Sequence, residues 1–179
     1  ALQVLGVPRV VDENGAVVLD DEGNIIPGHV IFTSFDDESI GVDRNPLPTE
    51  PGAGDWGGLL VRNDLDRANG LFEWEQEGIF LIYVNHADIR YGGGNVVIDS
   101  VPRTIRPISM TDARITATFN TITLSADAAI SANPDSFEET NFHSPEFQQI
   151  EFTSDYERIG PEVHGNRVLN NSVNGLFVN

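Results

Sequence analysis

The stretch Ile79-Phe80-Leu81-Ile82-Tyr83-Val84-Asn85-His86-Ala87-Asp88-Ile89-Arg90-Tyr91 carries the clearest strand signal in the chain. Its apolar residues fall in two short runs rich in Ile, Val and aromatic side chains, which pack well on a pleated surface. Asn85-His86 separates the two runs, and Gly92-Gly93-Gly94 ends the second. The pattern predicts short β-strands with sharp turns between them.

The composition extends this prediction to the whole chain of 179 residues. Val and Ile together number 32, whereas Leu and Ala number 23, which is the reverse of the balance in helical proteins. The chain also contains 17 Gly, 10 Pro and 15 Asn, which are residues that favour turns. We therefore expect an all-β fold made of many short strands. Residues 126–132 fit either a further strand or a short helix.

The charge excludes several classes of partner. The chain has 28 acidic residues and 10 basic ones, all of them arginine, which gives a net charge of -18. Nucleic acid and anionic membranes require clustered Lys and Arg, so neither is an expected partner. A strongly acidic chain without lysine is also a poor host for an anionic polysaccharide. The absence of cysteine excludes thiol catalysis and disulfides. The longest apolar run, residues 79–84, is too short to span a bilayer.

Two polar stretches interrupt the strand pattern. Residues 36–54 contain three prolines and several carboxylates, and residues 133–148 are acidic and aromatic. Neither shows strand periodicity, so both are expected to be protruding loops.

The length fits a single domain over residues 1–179, or a segment of a longer one.

Four segments carry a resemblance to a known family: residues 28–41, 51–58, 83–93 and 159–178. They resemble right-handed parallel β-helix regions of large bacterial secreted and cell-surface proteins of the adhesin-like type. The order and spacing of the segments also match, and the resemblance covers most of residues 28–179. It implies a solenoid fold and offers no catalytic residues to transfer.

The strand pattern agrees with that fold. Coils of a parallel β-helix stack at about 4.8 Å, the spacing between strands of a sheet. With roughly 20 to 25 residues per coil, six or seven coils would form a rod about 30 Å long. Val, Ile, Leu and Phe would point inwards, and Asn and Gly would occupy the corners where the backbone turns sharply.

The first long loop contains the best candidate for a metal site. Its ligands would be Asp36, Asp37, Glu38 and Asp43, joined by Asp55. Several carboxylates could hold Ca²⁺, a hard cation that prefers six to eight oxygen ligands. The alternative is a solvated loop whose carboxylates cap backbone N–H groups. The sequence contains no EF-hand pattern, so both interpretations stay open, and no cofactor other than Ca²⁺ is suggested.

Two further motifs have a functional and a structural interpretation. Trp56, in Asp55-Trp56-Gly57-Gly58, could stack against a sugar, or it could cover a strand edge while Asp55 fixes a turn and the two glycines supply positive φ angles. Asp88 and Arg90 lie two residues apart and so share one strand face, where an Asp–Arg pair is usually ordinary surface electrostatics.

The sequence favours a structural or adhesive β-helix module of a large extracellular or cell-surface bacterial protein or fibre, without catalysis. Its partners would be its own parent chain or further copies stacked end to end. One alternative is a carbohydrate-active β-helix hydrolase or lyase, and another is a non-catalytic module that binds glycans or calcium. The sequence marks no pair of carboxylates for glycoside hydrolysis, so it assigns no catalytic residue.

Overall fold

The computed structural model describes residues 2–6, 10–21, 23, 30–40, 47, 49–64, 82–137, 139–141, 156–158 and 161–178. Over these residues the fold is all-β, as the composition predicted, with parallel sheets and a turn of 3-10 helix at Pro134–Phe137. The described residues include no helix of the length and hydropathy that a membrane span requires.

Three four-stranded parallel sheets, which we call sheets A, B and C, form most of the described structure. Sheet A contains, in spatial order, β1 (Gln3–Leu5), β4 (Tyr83–Asn85), β9 (Thr116–Thr118) and β14 (Glu162–His164). Sheet B contains β2 (Val30–Phe32), β5 (Ala87–Arg90), β10 (Thr121–Thr123) and β15 (Arg167–Leu169). Sheet C contains β3 (Leu59–Asp64), β8 (Ile108–Ala113), β11 (Ala128–Ala132) and β16 (Val173–Val178).

The chain visits these sheets in a fixed order. It passes through sheet A, then B, then C, and repeats this order until it has contributed four strands to each sheet. We call one passage a round: β1–β3 form the first round, β4, β5 and β8 the second, β9–β11 the third and β14–β16 the fourth. Each strand therefore pairs with the strands of the neighbouring rounds in its own sheet.

In the described part of the chain, antiparallel strand pairs leave this path at two places. An antiparallel hairpin of β6 (Asn95–Ile98) and β7 (Val101–Thr104) lies between β5 and β8. The 3-10 helix and the antiparallel pair of β12 (Glu139–Asn141) and β13 (Tyr156–Arg158) lie between β11 and β14. The predicted loop 133–148 thus contains regular structure that its sequence does not reveal, while residues 142–148 lie outside the described part of the chain. Residues 126–132, which fitted either a helix or a strand, contain strand β11.

Apolar side chains align from round to round and build the core. Across sheet A the register aligns one apolar residue per round: Val4, Val84, Ala117 and Val163. Sheet B aligns Phe32, Ile89, Ile122 and Val168. Sheet C aligns Leu59, Ile108, Ile130 and Leu176. In the second and third rounds these positions are almost fully buried, so the core is deepest there.

The corner between sheets A and B repeats one backbone conformation. Its central residue has a positive φ in three successive rounds: 52° at His86, 56° at Phe119 and 67° at Gly165. Only the last is glycine, although left-handed backbone is uncommon for other residues. The corner between sheets B and C has the same property at Tyr91, Leu124 and Asn170.

Buried asparagines satisfy the backbone at these corners. The Asn120 side chain accepts a hydrogen bond from the Ala87 N–H (2.9 Å) and donates one to the Val84 carbonyl (2.9 Å). It also donates to the Asn166 side chain (2.9 Å), whose own amide donates to the Ala117 carbonyl (2.7 Å). Asparagines therefore lie at the corners, as expected, but these two act through hydrogen bonds that link one round to the next, and most of the positive φ angles fall on other residue types.

Candidate functional site

The acidic turn after β2 was the predicted metal site, and Asp37 is its most buried carboxylate, with 6% of the residue exposed. One carboxylate oxygen accepts a hydrogen bond from the Thr33 hydroxyl (2.5 Å), and the other accepts from the Ser39 backbone N–H (3.2 Å) and hydroxyl. Burial acts to raise the pKa of Asp37, but these hydrogen bonds and the charge of Arg90 hold it below its ordinary value. Asp37 is therefore an ionised group that fixes the turn.

Asp55 and Glu38 also accept hydrogen bonds from their own loop. Asp55 accepts from the Ser34 hydroxyl (2.6 Å) and from the Gly52 N–H (2.7 Å), which ties the turn after β2 to the approach of β3. Glu38 accepts from the backbone N–H of Thr49 (2.9 Å). These contacts are the type of carboxylate-to-backbone bonding that was the structural alternative to calcium.

The described residues contain no group of three or more His, Cys, Asp or Glu side chains placed to hold a metal ion. Asp36 lies in the same turn, where its N–H donates to the Ser34 hydroxyl (3.0 Å). Asp43 lies outside the described residues, so the complete set of predicted ligands cannot be assembled from them. Calcium binding at this loop stays a prediction.

Arg90 connects this turn to sheet B. Its guanidinium donates to Asp88 (Nη2 to Oδ2, 2.5 Å), and Nη1 lies 3.9 Å from Asp37 Oδ2. The hydrogen bond to Asp88 raises the pKa of Arg90, which burial acts to lower. Asp88 and Arg90 share a strand face, as their spacing predicted, but the Asp88 side chain is only 11% exposed. The pair is therefore part of a partly buried network.

Trp56 takes a structural position. Its ring stacks on Phe32 with 6.4 Å between centroids, and its indole N–H donates to the Arg90 carbonyl (2.7 Å). The two glycines that follow were expected to supply positive φ angles, and this was wrong. A Cβ on Gly58 would lie 2.0 Å from the Arg106 carbonyl oxygen, so this glycine is needed for close approach of two backbones.

The structure reveals a different candidate site, which the sequence analysis missed. A cleft of about 360 Å³ lies between the outer face of sheet C and the β6–β7 hairpin. It is lined by outward side chains of sheet C, by side chains of the hairpin and by the two residues that follow the hairpin: Leu60, Arg62, Ser109, Thr111, Ser131, Ile98, Arg103, Thr104, Ile105 and Arg106. We call this the arginine cleft. It contains three of the ten arginines of the chain, and none of its described lining residues is acidic.

Small residues in the middle of sheet C create the floor of the arginine cleft. The outward register column runs from Leu60 through Ser109 and Ser131 to Phe177. The two serines hydrogen-bond to each other (3.1 Å) and sit between the larger Leu60 and Phe177 side chains. The resulting depression is polar at its centre and apolar at its ends.

Contacts at the rim hold two of the three guanidinium groups. Arg106 lies with its Cζ 4.4 Å from the Phe177 ring centroid and its Nε 3.1 Å from Asp127 Oδ2. Arg62 Nη2 lies 3.6 Å from Asp99 Oδ2 at the hairpin tip. A guanidinium has five N–H donors, so one carboxylate contact leaves others for a ligand. Arg103 projects from the exposed strand β7.

Comparisons with protein-family models, with curated proteins and with solved structures gave no match.

Proposed function

We propose that the chain is a right-handed parallel β-helix that serves as a structural or adhesive module of a large extracellular bacterial protein or fibre. The observation that carries the proposal is the strand order: four rounds through three parallel sheets, in the same sequence each time. A chain that winds in this way stacks each round on the last, as in a solenoid. The right-handed sense follows from the strong preference of parallel crossovers for that hand.

Each round would be one coil of the solenoid. The described residues form four such coils, fewer than the six or seven expected from chain length, since stretches between the strands, such as the hairpin and the segment between β11 and β14, use residues outside the coils. The aligned apolar columns and the asparagine contacts between rounds support the proposal, since both need residues to recur at the same place in successive coils.

The fourth round supports an assembly role. Strands β14, β15 and β16 each lie at the edge of their sheet, so one side of each has no strand partner in the described structure. Apolar residues here are exposed, with Leu176 at 45% and Phe177 at 42%. Natural proteins usually cover or interrupt open apolar strand edges, because such edges pair readily with other strands. We infer that further coils of a parent chain, or a second copy, pair with this edge.

Cysteine pairs test the coil architecture, because the chain has no cysteine of its own. Thr121 and Arg167 are register partners in the third and fourth rounds, so the variant T121C/R167C should form a disulfide on mild oxidation. The control pair T121C/V97C, with Val97 on the β6–β7 hairpin, should stay reduced. Absence of the first disulfide in a folded variant would overturn the winding order.

Sedimentation velocity tests the assembly role. The chain should form larger species as its concentration rises, and L176K should remain monomeric because a charge then occupies the open edge. V97K makes the same change of charge at a position that is 71% exposed on the hairpin, and it should assemble like the unmodified chain. A chain that is monomeric at every concentration, or an L176K variant that assembles normally, would contradict the proposal.

A further inference from the structure

We propose that the arginine cleft binds the carboxylate or sulfate groups of an acidic saccharide. This goes beyond the proposed structural role, which requires no ligand, and it can fail while the coil architecture stands. The starting observation is a local reversal of charge. The chain has a net charge of -18, yet Arg62, Arg103 and Arg106 converge on one cleft of about 360 Å³.

The overall negative charge does not prevent this. Screening at physiological ionic strength reduces interactions between exposed charges beyond about 8 Å. An anion inside the cleft would therefore respond mainly to the three guanidinium groups that line it and to Asp99 and Asp127, which pair with two of them, so the local charge stays positive. The expectation that a strongly acidic chain is a poor host for an anionic polysaccharide holds for its average surface and not for this cleft.

The chemistry of the lining favours an oxyanion. Guanidinium groups bind carboxylate and sulfate oxygens through charge-assisted and often bidentate hydrogen bonds. Arg106 is already oriented by the Phe177 ring and by Asp127, so less conformational freedom is lost when it binds. Arg62 is held less firmly, by an exposed ion pair with Asp99 (3.6 Å). Arg103, on the exposed hairpin strand, supplies a third cation across the cleft.

The remaining lining groups favour a saccharide over an acidic peptide. Thr111 offers a hydroxyl group, and the Thr104 hydroxyl, which donates to Asn95 Oδ1, can still accept a hydrogen bond. Apolar surface for the C–H faces of sugar rings comes from Leu60, Ile98 and Ile105. Extended peptides gain affinity by adding to a sheet edge through main-chain hydrogen bonds. The cleft lies instead on the face of sheet C, where β8 and β11 have strand partners on both sides. Recognition there depends on side chains.

Calorimetry with a galacturonate oligomer tests the proposal, with a galactose oligomer of the same length as the neutral probe and an oligoglutamate as the peptide probe. The galacturonate oligomer should bind and the other two should not. Raising the ionic strength to about 1 M, where the screening length falls to about 3 Å, should abolish binding.

Arginine variants locate the site. R103Q should weaken galacturonate binding about tenfold, the loss expected for one charge-assisted hydrogen bond. R62Q should weaken it by a similar factor. R167Q removes the same charge from the exposed strand β15 in sheet B and should leave the affinity unchanged. Far-UV circular dichroism and thermal unfolding confirm that each variant is folded.

Three results would overturn the inference. The first is no binding of the galacturonate oligomer to the unmodified chain. The second is equal affinity in R103Q and R167Q, which would place the anion elsewhere. The third is equal or tighter binding of oligoglutamate with the same dependence on Arg103, which would make the ligand an acidic peptide. None of these results bears on the T121C/R167C disulfide, so the two proposals fail separately.

Discussion

The third and fourth rounds use matching residues in the same register, yet they differ in what covers them. Ile130 in β11 is 3% exposed, whereas its register partner Leu176 in β16 is 45% exposed. Strand β11 lies between β8 and β16, but β16 lies at the edge of sheet C. The difference shows that burial in this molecule comes from the neighbouring round more than from the residue itself.

Truncation of the two partners should give the largest contrast. I130A removes a buried side chain and should lower the free energy of unfolding by about 2 to 5 kcal/mol. L176A removes a side chain that is nearly half exposed and should cost less than about 1 kcal/mol. Urea denaturation followed by circular dichroism measures both. Equal losses would show that β16 is covered in solution by something absent from the isolated structure.

Two asparagines at the corner between sheets A and B allow the third and fourth rounds to be compared through their hydrogen bonds. Asn120 is 1% exposed, and N120A would leave the Ala87 N–H and the Val84 carbonyl without their partner. We expect a loss of about 2 to 4 kcal/mol for N120A. N166A removes the partner of the Ala117 carbonyl and of the Asn120 N–H. Asn166 itself is only half-buried, in the terminal round, so water can reach these groups more easily and the loss should be smaller, about 1 to 2 kcal/mol. A larger loss for N166A would break the rule that the interior round carries the stability.

The first round offers a test at the opposite end, where a polar contact holds a turn in place. D37N should lower the free energy of unfolding by about 1 to 2 kcal/mol at neutral pH, because the amide cannot replace an ionised acceptor. The pKa of Asp37 is lower in the folded chain than its ordinary value of 3.8. Its stabilisation is therefore present above that value and is lost as the pH falls through the folded pKa.

The measurement is the difference in melting temperature between D37N and the unmodified chain as a function of pH. This difference should be constant above about pH 5 and should shrink below about pH 4. D12N, which replaces a carboxylate in the exposed turn at residues 12–16, is the control. A pH-independent difference for D37N would show that its charge plays no part.

The all-β fold followed from the sequence because Ile, Val and Thr recur in short runs, as at Thr121-Ile122-Thr123. The pairing of Val4 with Val84 could not be predicted, because nothing in the sequence between them indicates which strands become neighbours. The positive φ angles at His86, Phe119 and Leu124 could not be predicted either, because these residue types rarely adopt them. They are imposed by the surrounding rounds.

One of the two candidate sites was predicted from the sequence, and the other was not. The carboxylates around Asp37 were predicted to form a metal site because most of them are close together in sequence. In the structure, several of them accept hydrogen bonds from nearby hydroxyl and N–H groups. The arginine cleft could not be predicted from the sequence, because Arg62 lies about one round away along the chain from Arg103 and Arg106 and has acidic residues near it in sequence. Only the strand register would have predicted this cleft, since it places Leu60 of β3 opposite Ser109 of β8.

The stacking of rounds through three sheets also has a mechanical consequence. Every step from one round to the next is made by strand pairing in sheets A, B and C together, and the step from the third round to the fourth has the Asn120–Asn166 contact as well. A tensile force applied across the rounds is therefore shared by three rows of hydrogen bonds at each step. Rupture should begin at an end round, where Leu176 and its neighbours are least buried, and should advance one round at a time. A tether built this way would lengthen in increments under load while its middle rounds stay folded.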